Sequence, residues 1–277
     1  VTTSRSLYEC PAYLRAAADG LGAQVELVRT SGATLPLLTC PDGVLRTVPG
    51  LPRPYGTYPS AALSEMALAL TDPQISISAT LSPLRGGPEL ARELAVRGAE
   101  LVGERQICVV GLTVGTVGSP LSEIARGLAD AQAAGVAVRV SSLDDAFVAL
   151  SRCLAEGTSI AEVSIADEYH LEALAELDNY VVTVSEGDQV VAAALFLHDA
   201  RESYCHMAAT RRPAVAELDA AWLVLAAGIE QARRAGCELV VLGGGLTDRR
   251  DDPLLDVKRA LATASLPRFA VTTRRFT

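Results

Sequence analysis

Apolar and polar positions in this chain follow two periods, and the period switches often. Apolar residues recur every three to four positions over 11–18, 61–70, 88–98, 121–134, 143–155, 168–177, 217–235 and 252–262, a spacing that predicts helices. Strict alternation or short apolar runs over 24–30, 34–39, 75–78, 106–112, 136–140, 180–185, 189–197, 203–209, 238–242 and 268–273 predict strands. The run at 136–140 reads as a short buried strand. Glu186-Gly187-Asp188 separates two alternating runs and predicts a hairpin. Gly135 and Gly236 stand just past helical patterns, where a left-handed cap is expected. Pro253 stands near the first turn of the helix at 252–262, where its missing N–H costs nothing.

Strands and helices are mixed in both halves, and the second half runs α-α-β-β-β-α-β-α-β. The expected fold class is therefore α/β, in the α+β sense, with two lobes that each hold a mixed sheet flanked by helices. The expected division is 1–135 and 136–277. No sequence repeat joins the halves, and no stretch has the composition of a disordered linker. The segment at 47–60, TVPGLPRPYGTYPS, is too rich in Pro and Gly for a helix or a central strand. It reads as an ordered loop.

Of 277 residues, 49% are apolar, enough for a sizeable core. The longest apolar run, 220–229, is too short to span a bilayer, and no secretory signal is visible, so a cytoplasmic protein is expected. Cys10, Cys40, Cys108, Cys153, Cys205 and Cys237 form no Cys-x-x-Cys pair and have no His at zinc-ligand spacing. Buried free thiols and no metal are expected. The net charge of −9 argues against broad, non-specific nucleic-acid binding. Residues 246–277 run against it, with seven basic and four acidic side chains. Nearly all the basic residues are arginine, and Lys258 is the only lysine in the chain.

Three places hold candidate chemistry. Gly243, Gly244 and Gly245 follow a buried strand and allow close backbone approach to an acyl carbonyl or a phosphate. They fit neither a Walker A loop nor a dinucleotide fingerprint, and a tight structural turn is the plain alternative. Lys258 lies thirteen residues further on, within a predicted helix. Its ammonium suits an oxyanion, and a solvated surface lysine is the plain alternative. His198 and His206 fall on neighbouring predicted strands, with His206 the better candidate for proton transfer. No Gly-x-Ser-x-Gly elbow or metal spacing is present. Tyr55 and Tyr58 could line a substrate pocket or plug the core beneath their loop.

The run from Ala192 to Phe276 resembles the second lobe of the Fem-type, or FemAB-like, aminoacyl-tRNA-dependent peptidyl transferases, whose lobes are GNAT-like. The resemblance rests on the strand pair of 192–197 and Tyr204-Cys205-His206-Met207-Ala208-Ala209. It continues through a long helix with Trp222, Leu242-Gly243-Gly244-Gly245, the helix with Asp256-Val257-Lys258-Arg259, and Leu266-Pro267-Arg268-Phe269. In the first lobe, Leu35-Pro36-Leu37 and Tyr55-Gly56-Thr57-Tyr58 are similar to family features. The resemblance implies two GNAT-like lobes and transfer of an aminoacyl group, alanyl by analogy, from a charged tRNA to an amine. The acceptor would be a peptide or peptidyl-nucleoside intermediate of a cell-wall precursor or an antibiotic. It implies Lys258 as the catalytic lysine; His206, or a carboxylate such as Asp256, is a candidate base from the residues alone, with a structural histidine the plain alternative. Tyr55, Tyr58, Tyr204 and Gly243 to Gly245 would contact substrate. Arg249, Arg250, Arg259, Arg268, Arg274 and Arg275 would contact tRNA. The tRNA is a co-substrate, and no separate cofactor, metal or membrane is implied. Val257 stands where the family usually has Phe, and residues 121–134 hold one Arg instead of the family's basic cluster. An acyl-CoA-dependent GNAT enzyme is the alternative. Its pyrophosphate loop would fall at Arg211-Arg212-Pro213-Ala214-Val215-Ala216, where Pro213 lacks an N–H and Ala214 replaces glycine. A non-catalytic GNAT-fold binding protein is the third reading.

Overall fold

The computed structural model describes residues 11–29, 34–47, 63–72, 76–81, 84, 87–113, 120–156, 174–199, 201–211, 220–245 and 252–273. The chain divides into two compact units, Val1–Gln106 with Leu266–Thr277, and Ile107–Ser265. The boundary expected at residue 135 falls inside the second unit.

In the first unit, α1 (Pro11–Leu21) leads into β1 (Gln24–Arg29), β2 (Thr34–Thr39) and β3 (Leu45–Thr47). Then come α2 (Leu63–Leu70), β4 (Ile77–Leu81) and α3 (Gly87–Val96). The strand β5 (Glu100–Gly111) carries the chain into the second unit. There α4 (Pro120–Ala133), β6 (Ala137–Ser141) and α5 (Leu143–Glu156) precede β7 (Asn179–Glu186), β8 (Gln189–His198) and β9 (Glu202–Thr210). The helix α6 (Ala220–Arg234), β10 (Leu239–Gly243), α7 (Pro253–Leu261) and β11 (Ala264–Thr273) follow, and β11 returns the chain to the first unit.

The strand order is β1-β2-β3-β4-β11 in the first unit and β5-β10-β9-β8-β7-β6 in the second. Each sheet is mixed in the same way. An antiparallel meander is followed by one parallel pair, β3 with β4 and β9 with β10. Each parallel strand then pairs antiparallel with a strand that follows the other unit's last helix: β4 with β11, and β10 with β5. The halves thus repeat a topology without repeating a sequence. A repeat of this kind needs only matching apolar periods, so residue identity does not reveal it.

Local signals explain most elements. Gly187 at φ +56° turns the β7–β8 hairpin, with Glu186 opposite Gln189. Gly135 and Gly236, at φ +83° and +84°, close α4 and α6. Three expectations need correction. The strand expected at 136–140 is not buried; β6 pairs only with β7, and Arg139 and Val140 are exposed. A continuous apolar run does not distinguish an edge from a core strand, and a charged residue such as Arg139 suits an edge. β3 went unpredicted because three residues are too few to show a period. β11 begins at Ala264 although Pro267 lies within it, and its ladder with β4 starts only at Phe269.

The second unit's core is set by close approach. Val182, Val184, Ala192, Ala194, Phe196 and Cys205 on one sheet face pack against Leu223, Val224, Ala227 and Ile229 of α6. A Cβ on Gly228 would lie 2.1 Å from the Phe196 ring, and one on Gly127 of α4 would lie 2.5 Å from Trp222. Phe196 cannot simply swing away, because it stacks on Tyr180 with centroids 5.1 Å apart. The Tyr180 hydroxyl donates to the Gly228 carbonyl at 2.9 Å and meets Ser203 Oγ at 2.9 Å. Glycine at 228 therefore sets the distance between helix and sheet. Gly228→Ala should cost about 1–3 kcal/mol by overpacking, read as a lower melting temperature. Adding Phe196→Leu should recover part of that loss; no recovery would show that the ring is not the obstacle.

Candidate active site

The parallel ladder between β9 and β10 is short. Leu239 pairs with Glu202, Val240 with Ser203 and Val241 with Tyr204, and there it stops, although β9 runs on to Thr210 and β10 to Gly243. Both strands are irregular just past the last rung. On β9, Cys205 pairs with Phe196 and Met207 with Leu195, which leaves His206 as the extra residue of a bulge. On β10, Val241 pairs with Val109 and Gly243 with Cys108, which leaves Leu242 as the extra residue. Bulges turn strands and interrupt ladders, so the two strands part at one level. At the other end they are fastened. The Glu238 N–H donates to the Arg201 carbonyl at 2.7 Å, and Arg201 holds the Glu238 carboxylate through Nε at 3.1 Å and Nη2 at 2.5 Å.

Beyond the parting, β10 ends in the glycines. Gly243 takes φ +78°, a region L side chains avoid. Gly245 abuts Asp252, and a Cβ there would lie 2.7 Å from the carboxyl carbon. Asp252 is buried and caps α7: its Oδ1 accepts from the N–H groups of Leu254 and Leu255 at 3.0 and 3.1 Å, with Pro253 at the first helical position. Along α7, Leu255, Lys258 and Leu261 are the buried residues, and Asp256 and Arg259 are exposed. Lys258 is thus on the apolar face, 7% exposed, and its Nζ donates to the Gly244 carbonyl at 2.7 Å. The surface-lysine alternative fails on this burial. The glycine segment is held by α7 at two points, by Asp252 against Gly245 and by Lys258 on Gly244.

Two thiols flank this ammonium. Burial pushes the Cys205 thiol up to about 11, opposed by the positive charge of Lys258. Burial also raises Cys108, opposed by a contact with Ser265 Oγ at 3.6 Å and then by Lys258. Both thiols are therefore protonated at neutral pH and serve as packing.

The sequence candidates fall as follows. Lys258 meets Gly244 directly, Gly245 abuts Asp252 at the start of the same helix, and Cys205, on the same β9 stretch as Tyr204 and His206, lies within the field of Lys258. Tyr204 and His206 are each 4% exposed, and the Tyr204 hydroxyl donates to Glu202 Oε2. Arg259 is exposed and pairs with Asp256 at 3.2 Å. Arg268 belongs to the first unit and is 7% exposed, so its guanidinium does not stand on an open surface. Tyr55, Tyr58, Arg249, Arg250, Arg274 and Arg275 lie outside the described residues. Arg211 donates to Glu156 Oε2 at 2.5 Å and to the Val190 carbonyl at 3.4 Å. Sequence reasoning passed over Asp252, whose Asp-Pro pair before an amphipathic run was a legible cap. It also passed over Glu202, for which no motif exists. Among the described residues no group of His, Cys, Asp and Glu could hold a metal, and no helix is long and apolar enough to cross a membrane.

Comparison with known proteins agrees with this architecture. Residues 121–250 match the family model described as an acetyltransferase (GNAT) domain. FemX has a similar structure, at 13% identity and a TM-score of 0.67, over 96% of this chain and 93% of that one. So has the L-PGS of Bacillus licheniformis, at 11% identity and a TM-score of 0.53, over 97% and 93%. A tandem GNAT protein from the clavulanic acid biosynthesis pathway aligns at 15% identity and a TM-score of 0.54, over 99% and 90%. No curated protein matches the sequence. The fold is that of the GNAT proteins, and residues 121–250 are similar to a GNAT acetyltransferase domain.

Two measurements check this local picture. Gly245→Ala should displace the Asp252 cap, at a cost of about 1 kcal/mol, and lower the melting temperature more than Gly103→Ala, where a Cβ meets only Ala270 at 3.8 Å, an ordinary contact. The Cys205 thiol ionises near 9.0 ordinarily and near 11 in the fold. The unfolded chain then loses this proton first as pH rises, so Cys205 contributes stability that is full below about pH 9 and lost towards pH 11. The fall in stability over that window should shrink in Cys205→Ala.

Proposed function

We propose that this protein is an aminoacyltransferase. It moves an aminoacyl group, with alanyl the first to test, from a charged tRNA to the amine of a peptide or peptidyl-nucleoside intermediate of an antibiotic or cell-wall precursor. The observation that carries the reading is Lys258, the chain's only lysine, buried against the glycine segment where β9 and β10 part. Lys258 looks like the lysine of the Fem-type motif, and FemX is among the proteins of similar structure.

The donor ester is already activated, so attack by an amine needs positioning and a place for the developing negative charge. The Lys258 ammonium, shielded from water, supplies that charge stabilisation. No protein nucleophile enters the path. The amine displaces the terminal ribose hydroxyl of the tRNA and forms an amide. Arg249, Arg250, Arg259, Arg274 and Arg275 are assigned to the acceptor stem, and Arg268 to holding the last strand. Tyr55 and Tyr58 are assigned to the acceptor peptide.

A charged tRNA is favoured over acyl-CoA by the loop after β9. Its leading Arg211 is already held by Glu156 and the Val190 carbonyl. Pro213 and Ala214 further reduce the N–H groups and the space that a pyrophosphate cradle needs.

Transfer of radiolabelled amino acids from a panel of charged tRNAs to a peptide amine should be seen, and RNase should abolish it. Transfer only from acetyl-CoA in the parallel reaction would overturn the reading. Lys258→Ala should lower kcat about 10²–10³-fold in a protein that still melts cooperatively, at a somewhat lower temperature because the contact with the Gly244 carbonyl is lost. Unchanged turnover in that variant would remove Lys258 from the chemistry.

A further inference from the structure

We propose that Tyr204 and Glu202 form the subsite that receives the acceptor amine and takes its proton, an inference that rests on the aminoacyl transfer proposed above. A peptide α-amine has a pKa near 8 and is mostly protonated at neutral pH. It cannot attack an ester until a proton leaves, and Lys258, itself a cation, cannot accept one.

Strand geometry supplies the opposite wall. Consecutive residues of β9 point to opposite faces. Cys205 packs in the cluster that includes α6 and α7, within the field of Lys258. Tyr204 therefore points to the other face, and it stands on the last rung before the strands part, opposite Val241. Glu202, two residues back, shares that face, and its Oε2 accepts the Tyr204 hydroxyl proton. An acyl group entering where the ladder stops has the ammonium on one side and the tyrosine–carboxylate pair on the other. That arrangement suits a reaction in which negative charge grows on the carbonyl oxygen while an amine loses a proton.

Four other carboxylates among the described residues of the second unit have roles of their own. Glu238 is held by Arg201. Asp252 caps α7. Asp199 Oδ1 accepts from the N–H groups of Arg201 and Glu202 at 2.7 and 2.8 Å. Asp256 is exposed and pairs with Arg259. Glu202 is the one of these that accepts from the hydroxyl of Tyr204, the residue on the last rung.

The step balances without a further reactant. The ammonium passes a proton to the Tyr204 oxygen as the Tyr204 hydroxyl proton moves to the Glu202 carboxylate. The neutral amine attacks the ester carbon, and the N–C bond forms as the carbonyl electrons move to oxygen beside Lys258. The intermediate collapses and breaks the ester C–O bond. The leaving ribose oxygen takes the proton held by Glu202 through the same pair, and the amide nitrogen releases its extra proton to water.

The test compares two acceptors with alanyl-tRNA as donor: a dipeptide amide, protonated at neutral pH, and methoxyamine, which is not. Enzyme-dependent rates are taken after subtracting the rate without protein. Glu202→Gln should lower kcat/KM for the dipeptide amide about 10²-fold, leave the KM for alanyl-tRNA unchanged, and retain most of the rate with methoxyamine. Tyr204→Phe keeps the ring and should follow the same pattern; it decides the question if Glu202→Gln fails to fold. Equal loss on both acceptors in a variant with an unchanged melting transition overturns the subsite while leaving aminoacyl transfer intact. Absence of transfer by the wild-type protein to either acceptor overturns the functional reading and this inference with it.

Discussion

The contact between Lys258 Nζ and the Gly244 carbonyl, 2.7 Å long, is the interaction on which the candidate site depends. It fixes a backbone segment that has no side chains of its own. Three successive glycines are conformationally loose, and a loose segment cannot shape a site. Asp252 removes part of that freedom by filling the space a Gly245 Cβ would need, while capping the helix that carries Lys258. The two restraints lie one turn and a half apart on α7, so helix position and loop position are coupled. An interaction between a charged donor and a carbonyl away from water is stronger than a neutral one.

The repeated topology shows how selective this arrangement is. Both halves place a parallel strand, a helix with proline in its first turn, and a strand that leaves that half in the same order, β4–α3–β5 and β10–α7–β11. Counting from the proline, the fifth residue after Pro253 is Lys258, and the fifth after Pro88 is Glu93. Lys258 is buried, whereas Glu93 is only partly so. The buried face of α3 is Leu90, Ala91 and Leu94, and it joins an apolar core with Leu37, Ile77, Ala79 and Leu81. The first unit thus repeats the connectivity with an apolar buried face and no buried cation at this position.

Much of the architecture was legible in the sequence because helical and alternating periods report burial directly. The hairpin turned by Gly187, the caps at Gly135 and Gly236 and the glycine end of β10 all came from local chemistry. What escaped was long-range. Nothing near Glu100 or Ala264 says that β5 and β11 leave their own halves to pair with β10 and β4. The bulges at His206 and Leu242 depend on the register of the neighbouring strands, which one strand's sequence does not carry. Lys258 was singled out by composition, but its burial could be known only once Leu255 and Leu261 were seen on the same face. Glu202 had no signal, because its meaning depends on Tyr204 standing at the last rung of a ladder whose length is set by those bulges.

The identity of the buried cation follows from the same geometry. The chain uses arginine almost everywhere it needs a positive charge, and at its surface the planar guanidinium is well employed, as in the bidentate hold of Arg201 on Glu238 and of Arg233 on Glu230. At position 258 the ammonium donates to the Gly244 carbonyl and lies near enough to Cys108 and Cys205 to oppose the rise that burial gives their thiols. A guanidinium is planar and carries five donors in a rigid fork, a shape and donor set unlike those of an ammonium. An ammonium is compact and its three donors rotate, so it can serve the carbonyl and still present charge where β9 and β10 part. Replacing Lys258 by Arg would keep the charge and lose that fit.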